Sequence, residues 1–141
     1  MIVNRRTALA FLAALMLAPL ATNAANANAA NAKAADAPRY ALVVYTFRAP
    51  GVCPACDRAR PVVARLANEY PIEFAYRDDP SGAALAGARN VTAFPTFTVV
   101  RRDAAGEREV ERWLGAQDVE RRIRAAFARR GVKPDPGRAR P

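Results

Sequence analysis

Ala41-Leu42-Val43-Val44-Tyr45-Thr46-Phe47, a short loop, then Cys53-Pro54-Ala55-Cys56 at the head of a stretch with helical spacing: the fold turns on this part of the chain. The two cysteines are the only ones in 141 residues. With two residues between them, both sulfurs can meet across the first turn of a helix, as a reversible disulfide or as a thiol pair. Pro54 suits that first turn, where its missing N–H would have had no helical partner. Two structural readings compete with redox chemistry. A structural zinc site takes about four ligands, and the chain has no His and no third Cys. An inert staple closing so tight a loop would constrain the unfolded chain very little.

Working outward from the pair, residues 41–47 read as a first strand. A helix follows over residues 54–70, with Val62, Val63 and Leu66 on its buried face and Pro61 bending it. A second strand at Ile72–Tyr76 is expected to lie parallel to the first through a right-handed crossover. Residues 77–82 read as a loop, residues 83–89 as a short helix, and residues 96–100 as a third strand. That strand turns at Asp103-Ala104-Ala105-Gly106 into a fourth, residues 108–114, whose Trp113 reads as core. A last helix is expected from Asp118, placed to act as its N-cap. It buries Val119, Ile123 and Phe127 at i, i+4 and i+8 and stops at Gly131. Length permits one small domain.

Pro95 stands thirty-nine residues beyond Cys56, within Thr92-Ala93-Phe94-Pro95-Thr96-Phe97. Together with the C-x-x-C, with Pro61 five residues after Cys56, and with Gly106 and Gly115 flanking the last strand, it gives a pattern that resembles the thioredoxin superfamily over residues 40–130. The resemblance implies an α/β, minimal thioredoxin fold over residues 39–131, a four-stranded mixed sheet flanked by helices. Before the first strand no room is left for the extra N-terminal strand and helix of full thioredoxins. The resemblance further implies a cis Phe94–Pro95 bond facing the C-x-x-C across a shallow groove. Phe94, Pro95 and Thr96, with Pro54 and Ala55, are expected to form the substrate edge.

The implied activity is protein thiol–disulfide exchange. Cys53, at the positive end of the helix, is expected as the attacking thiolate, and the more buried Cys56 as the resolving thiol. No cofactor is needed beyond this redox-active pair. Partners are client proteins with disulfides or thiols and a membrane or soluble redox partner; the protein itself is expected to be a monomer.

Departures from the family pattern bear on direction. Val52 stands where thioredoxins carry Trp, and residues 41–47 hold no acid to take the proton of the resolving thiol. Deprotonation of Cys56 is therefore expected to be slower and helped by water. Pro54-Ala55 has no His of the kind found in strong oxidants. Asp57 favours the helix dipole but opposes a nearby thiolate, and Arg48 and Arg58 are the expected compensating cations. The balance leans to a reductase. Two alternatives remain: a glutaredoxin-like, glutathione-dependent enzyme, and a non-enzymatic Cu(I)-binding or chaperone module, since two thiolates can hold Cu(I) linearly.

The first residues read as an address. Arg5-Arg6 precede an apolar run from Ala8 to Leu20 that falls short of the about 20 residues a spanning helix needs. Residues 1–24 are expected to be a cleavable export signal, residues 25–38 a disordered Ala/Asn-rich spacer, and residues 132–141 a disordered basic tail. Periplasmic or secreted localisation follows. The formal net charge is +9, and loss of residues 1–24 removes two arginines and no acids. Export argues against a nucleic-acid partner. Arg121, Arg122, Arg124, Arg129, Arg130 and Lys133 read as a solvated helix face, with attraction to an acidic surface as the sharper alternative.

Overall fold

A computed structural model describes residues 37–138. The export signal, nearly all of the spacer and residues 139–141 lie outside them. Among the described residues are four strands and three helices: β1 (Arg39–Thr46), α1 (Pro54–Ala67), β2 (Ile72–Tyr76), α2 (Pro80–Ala88), β3 (Thr96–Asp103), β4 (Gly106–Leu114) and α3 (Val119–Ala128).

The strand order is β2-β1-β3-β4, with β1 parallel to β2 and antiparallel to β3, and β3 antiparallel to β4. Over the described residues this is the four-stranded mixed α/β sheet of a thioredoxin fold, flanked by helices. β1 is central and covered on both faces, which is why it reads as an unbroken apolar run rather than an alternating one. On one face Leu42 and Val44 pack with Phe97 and Val99 against Val63 and Leu66 of α1 and Ile123 and Phe127 of α3. On the other, Ala41, Val43 and Tyr45 pack with Val100 against Ala86 of α2. Neighbouring Val99 and Val100 serve opposite faces, and the register of β3 against β4 shifts between them. Tyr70 stacks on Phe127 at 4.8 Å, and half-buried Trp113 stacks on Phe97 at 5.3 Å, so Trp113 does belong to the core margin.

Three expectations change. α2 begins at Pro80, three residues earlier than read, because Asp-Pro opens a helix: proline's fixed φ fits the first turn. Gly82 lies in that turn against β2, where a Cβ would come within 2.1 Å of the Tyr76 carbonyl oxygen. Asp118 does not cap α3 with its side chain. Its φ is +50°, outside the extended region that a side-chain cap requires, and its carboxylate pairs with Arg121 at 2.5 Å instead. The tail is held over its first residues: Val132 packs against the core, and the Asp135 N–H donates to the Glu69 carbonyl at 2.7 Å.

Most of the arginines on and just after α3 face carboxylates. Arg124 lies between Glu69 (2.9 Å) and Glu120 (3.0 Å), while Arg129 and Arg130 share Glu111 (2.7 and 2.8 Å). With Arg121 on Asp118, much of the basic face is internally matched.

Candidate active site

Helix α1 starts where Cys53 leaves the extended backbone of the preceding loop (φ −137°, ψ 94°). Its sulfur accepts the Cys56 N–H at 3.2 Å, the place an N-cap oxygen usually takes. Cys53 and Cys56 form a disulfide, with their Cα atoms 5.2 Å apart. Cys53 is half-exposed, whereas Cys56, one turn in, is 1% exposed. Pro54 between them is exposed and Ala55 half-exposed.

Across from the pair, the Phe94–Pro95 bond is cis, and the Phe94 carbonyl oxygen lies 3.8 Å from Cys53 Sγ. The Phe94 ring meets Phe47 edge-on at 5.1 Å. Pro95 and Thr96 are buried, and the Thr96 hydroxyl donates to the Ala93 carbonyl at 2.6 Å. The Pro95 carbonyl accepts the N–H of Gly115, whose φ of +86° suits glycine. Thus Cys53, Cys56, Pro54, Ala55 and Phe94–Pro95–Thr96, far apart in sequence, come to one end of the sheet. Val52 is 59% exposed beside Cys53 and leaves an apolar side chain on the rim.

The loop entering the site is fixed by two carboxylates. Asp78 accepts the N–H groups of Arg48 and Ala49 (both 2.9 Å), and Asp57 accepts that of Gly51 at 2.8 Å. These backbone donors hold the Asp78 carboxyl below the usual carboxylate range. Asp78 was not distinguishable by sequence: residues 77–82 read as loop, and only its place before Asp79-Pro80 marks a helix start.

The cation that answers Asp57 is Arg60, at 2.9 Å, and neither of the two expected. Arg48 turns away to Asp79 at 2.5 Å and stacks over the Tyr76 ring at 4.5 Å, while Arg58 is exposed and forms no ion pair among the described residues. A helix brings i and i+3 to one face, and Arg60 is the residue of that spacing. Of the two polar groups near the end of β1, Tyr45 faces α2, where burial pushes its hydroxyl up. Thr46 instead lines a cavity of about 180 Å³ behind the disulfide, whose walls include Cys56, Arg48, Arg60, Tyr76 and Pro95.

No family model and no curated protein matches the sequence. Solved structures do match. The chain is similar to the thioredoxin of Fasciola hepatica, at 25% identity and TM-score 0.52, over 75% of this chain and 92% of that one. A thioredoxin from Thermus thermophilus matches at 23% identity and TM-score 0.52, over 81% and 85%. That of Plasmodium falciparum matches at 17% and 0.53, over 77% and 84%. With this likeness in fold and a disulfide-bonded C-x-x-C pair at the head of its first helix, the chain is a protein thiol–disulfide oxidoreductase of the thioredoxin superfamily.

Proposed function

We propose that the chain is exported and reduces disulfides of client proteins outside the cytoplasm, with Cys53 as nucleophile and Cys56 as resolving thiol. The observation that carries the assignment of roles is the difference in exposure: Cys53 is open at the helix N-terminus and Cys56 is buried one turn in. A client sulfur can reach only the first. The unpaired N–H groups and positive end of α1 favour the Cys53 thiolate.

Cys53 thiolate attacks one sulfur of a client disulfide. The other client sulfur leaves with the bonding pair and takes a proton from water. Cys56 thiolate then attacks Cys53 Sγ, the second client sulfur leaves in the same way, and the Cys53–Cys56 bond closes. Two electrons have passed to the client, and a reduced membrane or soluble partner must return them. Phe94, Pro95 and Thr96 form the docking edge, with Pro54 and Ala55 opposite; the Phe94 carbonyl beside Cys53 is the supporting contact. The lean to reduction rests on Pro54-Ala55, which offers no His to stabilise the reduced form. Export rests on the basic start and short apolar run of residues 1–24.

The test is to mix the dithiol form with insulin as a disulfide client, and the disulfide form with a reduced client, and to follow both by thiol alkylation. A reductase drives the first reaction faster and further; faster oxidation of the reduced client would reverse the direction. The mature N-terminus of protein recovered from the exported fraction checks cleavage of the signal.

A further inference from the structure

The cavity lined by Cys56 joins three features that bear on a resolving thiol. Cys56, otherwise buried, forms part of its wall. Arg60, one turn further along α1, lines the same cavity, so a cation shares the space into which a Cys56 thiolate would project its charge. The remaining lining carries no carboxylate: Arg48 is a second cation, Thr46 and Tyr76 bring hydroxyls, and Val44, Ala59, Val63, Phe74 and Pro95 are apolar.

We propose that Arg60 is a positioning residue for the resolving step, holding the Cys56 thiolate at a cavity whose lining has no carboxylate to accept the proton. The proposal rests on Cys56 being the resolving thiol. When the mixed disulfide forms on Cys53, Cys56 gives its proton to water. The thiolate attacks Cys53 Sγ, and the client sulfur departs with the electron pair of the broken bond. Arg60 acts twice in this. Its guanidinium neutralises Asp57, the residue next to Cys56 whose charge would otherwise oppose the thiolate, at 2.9 Å. It also donates to the Phe47 carbonyl at 3.1 Å, which ties the side chain to the end of β1 and keeps its charge at the cavity.

The charged and titratable groups that face Cys56 come from three elements. Helix α1 supplies Arg60, which carries Asp57 as its ion-pair partner outside the lining, the loop after β1 supplies Arg48, and β2 supplies Tyr76. Arg48 is matched by Asp79, and the neighbouring Asp78 is taken by backbone amides. Pro95, just before β3, completes the lining on that side. Arg60 is therefore the cation whose loss changes the balance most, since it leaves Asp57 unmatched as well.

The experiment loads the full chain at Cys53 with 2-nitro-5-thiobenzoate as a mixed disulfide. It then follows release of the yellow thiolate as Cys56 attacks, across pH 5 to 10. Arg60→Gln is expected to slow release about threefold or more at pH 7 and to shift the inflection of the pH–rate profile upward by half a unit or more, since one pKa unit is a factor of ten in ionisation. Arg60→Lys, which keeps the charge, is expected to stay near the parent profile. A profile unmoved by Arg60→Gln overturns the proposal. So does an equal shift in Arg60→Lys, which would assign the effect to packing. Failure of the parent protein to release the label at any pH would instead remove the resolving role of Cys56 itself. Thiolate absorbance at 240 nm in the Cys53→Ser background checks the same shift without any exchange step.

Discussion

Asp78 holds the backbone of Arg48, thirty residues before it: the Arg48 N–H donates to both carboxylate oxygens, at 2.9 and 3.1 Å. The Ala49 N–H joins it at 2.9 Å, so the loop that delivers Cys53 to the helix is tied to the end of β2. Folding lowers the pKa of this carboxyl, chiefly through those amides. A group whose folded pKa is depressed stabilises fully above its unfolded value, about 3.9 for Asp. That contribution fades as pH falls through the lower folded value. Asp78→Ala should therefore unfold at lower urea concentration than the parent at pH 7, and the gap should narrow at pH 2 to 3. A gap of the same size at both pH values would mean that the charge is not what holds the loop.

Gly82 has no room for a side chain. A Cβ there would meet the Tyr76 backbone at 2.1 to 2.7 Å, and backbone cannot step aside without moving β2 or α2. Gly82→Ala should cost about 3 kcal/mol, the upper part of the range for overpacking. Gly87, five residues on in the same helix and with open space around it, provides the control. Gly87→Ala should be neutral or slightly stabilising by helix propensity. Equal denaturation midpoints for the two variants would contradict the tight α2–β2 contact.

Phe127 links α3 to the turn between α1 and β2 through its stack on Tyr70 and is 1% exposed. Phe127→Ala should lose about 3–5 kcal/mol and expose the sheet face that also supports Cys56. Thermal unfolding followed by far-ultraviolet circular dichroism reads the loss.

The two cysteines should behave unequally. Cys53→Ser should abolish client reduction, while Cys56→Ser should leave attack intact and accumulate a Cys53–client mixed disulfide visible on non-reducing gels. Accumulation in the Cys53→Ser variant instead would exchange the two roles.

Much of this architecture was legible in the chain, for reasons that differ from element to element. β1 announced itself as an unbroken apolar run because both of its faces are covered. α3 did so because Val119, Ile123 and Phe127 fall on one helical stripe, and all three are buried. The active pair was legible because C-x-x-C carries its own geometry, and the cis Phe94–Pro95 bond followed from the family pattern and is present. What sequence could not supply were pairings made across space by groups with several equivalent candidates. Three arginines lie within reach of Asp57 along the chain, and only the folded helix selects Arg60. Asp78 and Asp79 are neighbours of the same type, yet one takes backbone amides and the other a guanidinium. Asp118 has the right residue type for a cap, but a left-handed backbone turns its carboxylate to Arg121.

The central claim is that Cys53 and Cys56 are a reversible couple poised to reduce. Equilibrating the mature protein in graded glutathione and dithiothreitol buffers, then alkylating, gives its reduction potential. The account predicts a value well below that of a strong oxidant, toward the about −270 mV of thioredoxin. A value near the about −120 mV of the strong periplasmic oxidant would contradict the reductive direction, and a pair that never cycles between dithiol and disulfide would contradict exchange chemistry itself.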